Sequence, residues 1–406
     1  MKLYNTMSRT KEEFKARDKN KVKIFTCGPS VYRRPHIGNY RTFLYEDLVV
    51  RYLEYKGYRV NRVINYTDVE DKTIEEANEN NLTPEQLTAK VKRTFLEETG
   101  LLNIKLPENI PSSATSVNEA GELIKMLMDK GYAYKYGDNI FFDPLKKKDF
   151  GKLAKVDMSR WPKNKVRFKK DTYPGTRWNL GDFILWHGAS EGDGTSWDSA
   201  VGRGRPSWNI QDPAMIYQNL GFQVDINCGG IDNLARHHDY NIAIMEALSG
   251  KEYASYYMHG EHLLVDGKKM SKSAGNIFYP EDLIKDDRDA RHLRFFLIHK
   301  HYRKSLNFTH KAFHKVSDEL DETQREIGNL LTLDENPAPK TFDLPGKVIY
   351  AFETAMDDDL YVGAFFREFS SLIKRAVKKY PGLTPAQKKE LKDAISKVND
   401  VLHIFK

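Results

Sequence analysis

A chain of 406 residues, 40% of them hydrophobic and 30% charged, is long enough for two or three domains and has the composition of a globular protein, not a disordered one. No apolar run approaches the length of a membrane span, and the charged start over 1–20 is unlike a secretory signal, so a cytoplasmic protein without a membrane partner is expected. Two cysteines, Cys27 and Cys228, are too few for a disulfide framework, and a net charge of +7 permits a polyanionic partner without requiring one.

In chain order, residues 21–27 read as a buried strand stopped by Gly28 and Pro29. A helix follows over 40–56, with Leu44, Leu48, Tyr52 and Tyr55 on one face and Gly57 as its stop. A second strand over 59–66 ends at Thr67 and Asp68, and this order predicts the parallel crossover that opens a nucleotide-binding fold. Phosphates favour the helix start, where N–H groups are unpaired. There, in P-H-I-G-N, Gly38 permits close backbone approach and His36 and Asn39 carry donors for phosphate oxygens.

Thr83-Pro84-Glu85-Gln86 is a capping box that predicts a helix to about 101, and 116–119 repeats the pattern for a helix ending at Gly131. Residues 132–136 and 139–143 read as a hairpin turned by Gly137 and Asp138. The stretch 111–204 interrupts the strand and helix alternation and reads as an inserted domain between catalytic halves at 1–110 and 205–279. Within it and just beyond, 196–210 reads as a loop whose Trp208 walls a small pocket. Residues 224–227 read as a strand and 228–232 as a turn. In that turn Gly229 and Gly230 let a base or ribose lie against the backbone, and Asp232 accepts from ribose hydroxyls. A helix over 236–249 presents His237 and Asn241 near one face.

The run from Val265 to Asn276 places two ammonium groups, Lys269 and Lys272, and two hydroxyls, Ser271 and Ser273, around Met270 on a short segment, as a polyphosphate clamp needs. Gly267 and Gly275 are expected to let it move. From 280 to 406 the chain reads as a helical stem and bundle, with helices over 293–301, 308–331, 347–356, 364–380 and 385–404 and a proline-rich linker at 336–345.

Assembled in order, F-T-C-G-P-S-V-Y, P-H-I-G-N, the N-Y-T-D-V-E-D-K run over 65–72, S-W-D-S with G-R-P-S-W, K-M-S-K-S, the run over 301–309 and A-M-D-D-D over 355–359 resemble the cysteinyl-tRNA synthetase family of class I aminoacyl-tRNA synthetases along nearly the whole chain. The resemblance implies an α/β fold: a Rossmann-like parallel-sheet catalytic domain, an inserted domain and a C-terminal α-helical bundle. It implies a ligase that joins an amino acid to ATP, with Mg2+, to give an aminoacyl adenylate, and passes the acyl group to tRNA. His36, Asn39, Lys269 and Lys272 are then the groups that stabilise phosphate charge. Gly38, Gly229, Gly230, Asp232, Met270, Ser271 and Ser273 surround ATP, and Cys27, Thr67, Trp208 and Asn227 surround the amino acid.

The sequence also departs from the family. The family holds a zinc ion with two cysteines, one histidine and one glutamate, and the aligned positions here are Cys27, Asp212, His237 and Asn241. A carboxylate can bind zinc but a neutral amide is a poor ligand, which leaves Cys27, Asp212 and His237 as the metal set. Asn227 and Cys228 replace the family's histidine and first glycine at the glycine turn, so the changes gather at the side-chain pocket and spare the ATP motifs. The sequence stops at Lys406, where the family usually continues into a small anticodon-reading domain. Two further readings stay open: a tRNA-independent paralogue that joins cysteine or another amino acid to a small amine or carrier, and a catalytically silent relative that binds RNA or a partner.

Overall fold

The computed structural model describes residues 1–160, 181–189, 195–335 and 342–406, with the side chains of Arg160 and Lys272 outside the described part. β1 (Lys2–Asn5) and β2 (Thr10–Glu13) pair as an antiparallel ribbon. β3 (Lys21–Thr26) leads into α1 (Ile37–Tyr55), and β4 (Arg59–Ile64) returns parallel to β3. α1 begins three residues before the expected start because His36 caps it. α2 (Asp71–Glu79) and α3 (Pro84–Leu101) follow. Thr83 caps α3 as its sequence predicts, its hydroxyl accepting from the Gln86 N–H at 3.2 Å. Ser116 does not cap α4 (Val117–Asp129): its hydroxyl donates to Gln218 at 3.0 Å, and the reciprocal pairing sits a turn earlier, where the Ser112 N–H donates to Thr115.

β5 (Ala133–Tyr136), β6 (Asn139–Phe142), β7 (Phe183–Gly188) and β8 (Gly204–Pro206) form an antiparallel sheet in that order. Its last strand runs past residue 204 straight to α5 (Trp208–Leu220), so the stretch expected as a loop over 196–210 ends as a strand and a helix start. β9 (Val224–Gly230), α6 (Asp239–Ser249) and β10 (Ala254–Gly260) complete the parallel sheet, ordered β10-β9-β3-β4. β9 continues through Cys228, Gly229 and Gly230, which the sequence reading placed in a turn. β10 runs alongside those residues, and the Tyr45 hydroxyl bonds both the N–H and the C=O of Gly229, at 2.9 and 2.7 Å, so the glycines do not break the ladder.

β11 (Leu263–Val265), β12 (Lys268–Lys269) and β13 (Leu306–Phe308) make a small mixed sheet. The helical end comprises α7 (Pro280–Leu283), α8 (Asp287–Ile298), α9 (His310–Thr332), α10 (Leu344–Asp357), α11 (Val362–Lys379) and α12 (Pro385–Leu402). Of the expected linker, 336–341 lie outside the described residues, while Leu344 and Pro345 open α10, where a missing N–H is tolerated.

One apolar core joins α1 and a face of the parallel sheet to the helical end, and another fills the space between α4, the antiparallel sheet, α5 and α6. Two buried charged knots cross these layers. Arg294 of α8 donates to Leu402 O at 2.6 Å, Leu102 O at 2.7 Å and Asp47 Oδ2 at 2.7 Å, the pairing that a buried guanidinium requires. Asp359, the last acid of A-M-D-D-D, accepts from the Tyr4 N–H at 2.8 Å, the Tyr302 hydroxyl at 2.7 Å and Arg303 at 2.8 Å. Among the described residues no helix is long and apolar enough to cross a membrane.

Candidate active site

The residues expected to meet phosphate gather at the start of α1. His36 has extended backbone, and its Nδ1 accepts from the N–H groups of Gly38 and Asn39 at 3.2 and 3.3 Å. Asn39 Oδ1 accepts in return from the His36 N–H at 3.0 Å. This reciprocal cap decides the chemistry: with Nδ1 accepting, the ring proton sits on Nε2, and Asn39 keeps its NH2 end for a ligand. Burial lowers the His36 pKa, a bond within the residue opposes this, and the Lys269 charge lowers it further, so the ring is neutral at pH 7.

A Cβ added to Gly38 would meet Cε of Met270 at 2.6 Å and the His36 ring at 3.0 Å. The helix start and the Lys269–Ser273 segment therefore touch at this glycine. Ile37 N–H donates to Phe278 O at 2.9 Å and ties the segment's far side to the same helix. Asp266 and Gly267, both with positive φ, turn β11 into β12, so Gly267 serves a tight hairpin. Ser271 N–H donates to Asn276 at 3.0 Å, and the Ser271 and Ser273 hydroxyls lie 3.2 Å apart. Lys269 Nζ lies 3.1 Å from Asp232, and His262 Nε2 lies 3.5 Å from the same carboxylate. The sequence reading set Lys269 on phosphate and Asp232 on ribose, whereas the structure pairs them. Both are exposed, so the pair is worth about 1 kcal/mol or less and exchanges readily for a ligand.

The residues expected to meet the amino acid gather between β3, α5 and the start of α6. Leu234–His238 is a π-turn, which brings two consecutive side chains to one place. His237 Nδ1 is 3.9 Å from Asp212 Oδ2, and His238 Nε2 is 3.9 Å from Cys27 Sγ. His238 continues inward through Nδ1 to His259 at 2.8 Å, and His259 to Thr6 at 2.9 Å. Gly229 is needed here, since a Cβ would lie 2.8 Å from the His238 ring. Trp208 opens α5, and its ring centroid lies 3.9 Å from that of His237. Thr67 is held by backbone bonds to Pro29 and Val31, with its hydroxyl 3.5 Å from Asn65 Nδ2.

One expected residue stands apart from the open side. Asn227 is fully buried, and its Oδ1 accepts from Tyr253 at 2.7 Å, because its position on β9 turns it into the layer beneath the pocket. Cys228 packs on the opposite sheet face in the core around α1. The sequence reading missed Asn65, His238, His259 and Asn233, whose Nδ2 donates to Cys27 Sγ at 3.5 Å. The doublet His237-His238 and the head of N-Y-T-D were the available signals.

Cys27, Asp212, His237 and Asn241 do come together, but as a hydrogen-bonded cluster. Asp212 Oδ1 accepts from Asn65 at 3.0 Å, and its Oδ2 accepts from Asn241 at 3.4 Å and from the Cys27 thiol at 3.7 Å. Burial raises Asp212 to about 6 against those three bonds, and burial, then the Asp212 charge, pushes the Cys27 thiol well up. Burial lowers His237 to about 3, with His238 and Arg236 acting the same way. Zinc is held by thiolate, imidazole and carboxylate groups. Here the fourth place is an amide, and Asn241 presents its NH2, which cannot ligate, to Asp212 at 3.4 Å. Among the described residues no three His, Cys, Asp or Glu side chains are grouped to hold a metal. The expected set of Cys27, Asp212 and His237 therefore does not fit zinc.

A family model described as tRNA synthetases class I (C) catalytic domain matches residues 13–318. The cysteine–tRNA ligase of Chlamydia pneumoniae is 36% identical over 416 residues, 99% of this chain and 86% of that one. That of Methanococcus maripaludis is 34% identical over 393 residues, 95% and 81% of the two chains. The fold is also that of a solved Mycobacterium tuberculosis methionyl-tRNA synthetase in complex with methionyl-adenylate, with a TM-score of 0.67 over 95% of this chain and 90% of that one at 14% identity. A capped helix start facing a Lys-Met loop on this fold defines a class I aminoacyl-tRNA synthetase, a ligase whose family uses ATP and Mg2+. Within that class the chain belongs to the cysteinyl-tRNA synthetase family.

Proposed function

We propose that this enzyme activates cysteine with ATP and esterifies it to tRNA in the cytoplasm. The contact of Gly38 with Met270 carries the reading, because it brings the capped start of α1 and the lysine segment to one place, as a triphosphate site requires. The amino-acid carboxylate is already a nucleophile, so the protein's part is to align it with the α-phosphate and to stabilise charge as it develops. His36 donates from Nε2 and Asn39 from its NH2. Lys269 leaves Asp232 for the departing pyrophosphate, and Asp232 turns to the ribose hydroxyls; the Lys272 side chain, expected to share that task, lies outside the described residues. Gly230 and Gly229 give the adenosine a flat backbone, and Met270, Ser271 and Ser273 close over the triphosphate. Cys27, Thr67 and Trp208 face the amino acid, and Asn227 supports them from beneath.

The test is exchange of labelled pyrophosphate into ATP followed by charging of cysteine tRNA at several salt concentrations. Cysteine-dependent exchange and charging that weakens steeply with salt are expected, as several phosphate contacts require. Absence of exchange with every amino acid would remove the activation step. Exchange without charging would move the acceptor to a small amine or carrier.

A further inference from the structure

At the side-chain end of the pocket the buried acid is Asp212. It is 4% exposed, and its partners are two amides, a thiol and an imidazole, with no Lys or Arg among them. Its two oxygens differ. Oδ1 takes a well-formed bond from Asn65 at 3.0 Å, while Oδ2 has only the long contacts at 3.4, 3.7 and 3.9 Å to Asn241, Cys27 and His237. Cys27 is only partly buried and the His237 side chain, beside Trp208, is 25% exposed, so two of the three groups around the weakly satisfied oxygen reach the surface. A buried carboxylate oxygen left with long contacts has room for a better donor.

We propose that Asp212 reads the amino acid's side chain directly, without a metal, as a hydrogen-bond acceptor. The substrate side chain is then held as a neutral donor, a thiol or a hydroxyl, and a thiolate is repelled by the carboxylate. This rests on the amino-acid-activating reading above and changes its selectivity. A thiophilic metal separates cysteine from serine by charge and softness. A carboxylate accepts from S–H and O–H alike. Serine and cysteine are therefore expected within about 100-fold of each other in kcat/KM, the range of a pocket that sorts near-isosteres. Alanine offers no donor and leaves Oδ2 with only its long contacts, so it falls well below both, by on the order of 10⁴-fold at most.

The experiment uses the full chain as purified. Metal content is measured by mass spectrometry, and pyrophosphate exchange is followed with cysteine, serine and alanine before and after dialysis against a chelator. Substoichiometric zinc, chelator-insensitive exchange and the order cysteine with serine, then alanine far below, are expected. D212N places an NH2 in the carboxylate's position, and its kcat/KM should fall by about 10²-fold for both cysteine and serine. Stoichiometric zinc with exchange lost to the chelator overturns the role of Asp212 and leaves activation standing. So does a cysteine preference over serine beyond about 10⁴-fold, a discrimination a metal-free acceptor does not supply. Silence with all three amino acids overturns the activation reading together with this one.

Discussion

Replacing Gly38 by alanine should separate stability from catalysis. The new methyl would sit 2.6 Å from Met270 Cε, against an ordinary contact of 3.4–4 Å. Met270 must retreat by about 1 Å, and because the segment that carries it is largely exposed the fold loses little when the segment shifts with it. The position lies in the first turn of α1, where alanine is a better helix former than glycine by up to about 1 kcal/mol. Thermal stability should thus hold or rise by about 2–4 °C. The segment that carries Lys269, however, is displaced from the phosphates. A misplacement of about 1 Å costs on the order of 10²-fold in rate, so the kcat of pyrophosphate exchange should fall about that much with the KM for the amino acid little changed. Melting curves and exchange kinetics on the same preparation test both halves. Exchange at the wild-type rate would show that Met270 does not set the segment's place. A drop in melting temperature would show that the clash reaches the His36 cap.

H36A and H36N divide the two duties of that histidine. Alanine loses the cap, about 1 kcal/mol or 2–4 °C, while asparagine keeps it, and both lose the Nε2 donor and about 10²- to 10³-fold in exchange. Retained exchange in H36N would place the donor elsewhere. For Asp359, burial pushes the carboxyl up, but the bonds from His301, the Tyr4 N–H and Tyr302 outweigh it and hold it below the usual aspartate range. Its contribution to stability is therefore present above the unfolded pKa of about 4 and lost as pH falls through the lower folded value. D359N should lower the urea midpoint at pH 7, by about 2–4 kcal/mol in stability, with the gap to wild type closing as the pH falls below about 4. A gap unchanged between pH 7 and pH 3 would refute the assignment.

Much of the fold was legible because local chemistry and global position agree. Thr83 and Gln86 cap α3 wherever the helix packs, and the alternation of 21–27 and 59–66 is a parallel sheet's own pattern. Glycines misled where tertiary partners override them: Gly229 and Gly230 stay in β9 because Tyr45 and β10 satisfy them. The candidate site was legible as a set of residue types but not as a set of contacts. Nothing in the spacing of Lys269 and Asp232 shows that they pair, since the ion pair joins a hairpin to a strand end. The π-turn that brings in His238 has no sequence signature either, and the direction of the Asn241 amide is decided by Asp212, which lies on another helix.

The order of strands has a consequence for how the chain becomes a protein. β3 is an interior strand, and its partner on one side, β9, comes late: Ile24 pairs with Ile226. During synthesis β3 and β4 leave the ribosome with one edge of the future sheet open, while β5 and β6 close on each other across a two-residue turn. Pairings of such long range are slow, and the open edge is exposed to wrong partners in the interval. The Arg294 knot, which needs Asp47, Leu102 and the carbonyl of Leu402, closes later still. The nucleotide-binding half, though made first, reaches its final form only when the last helix arrives.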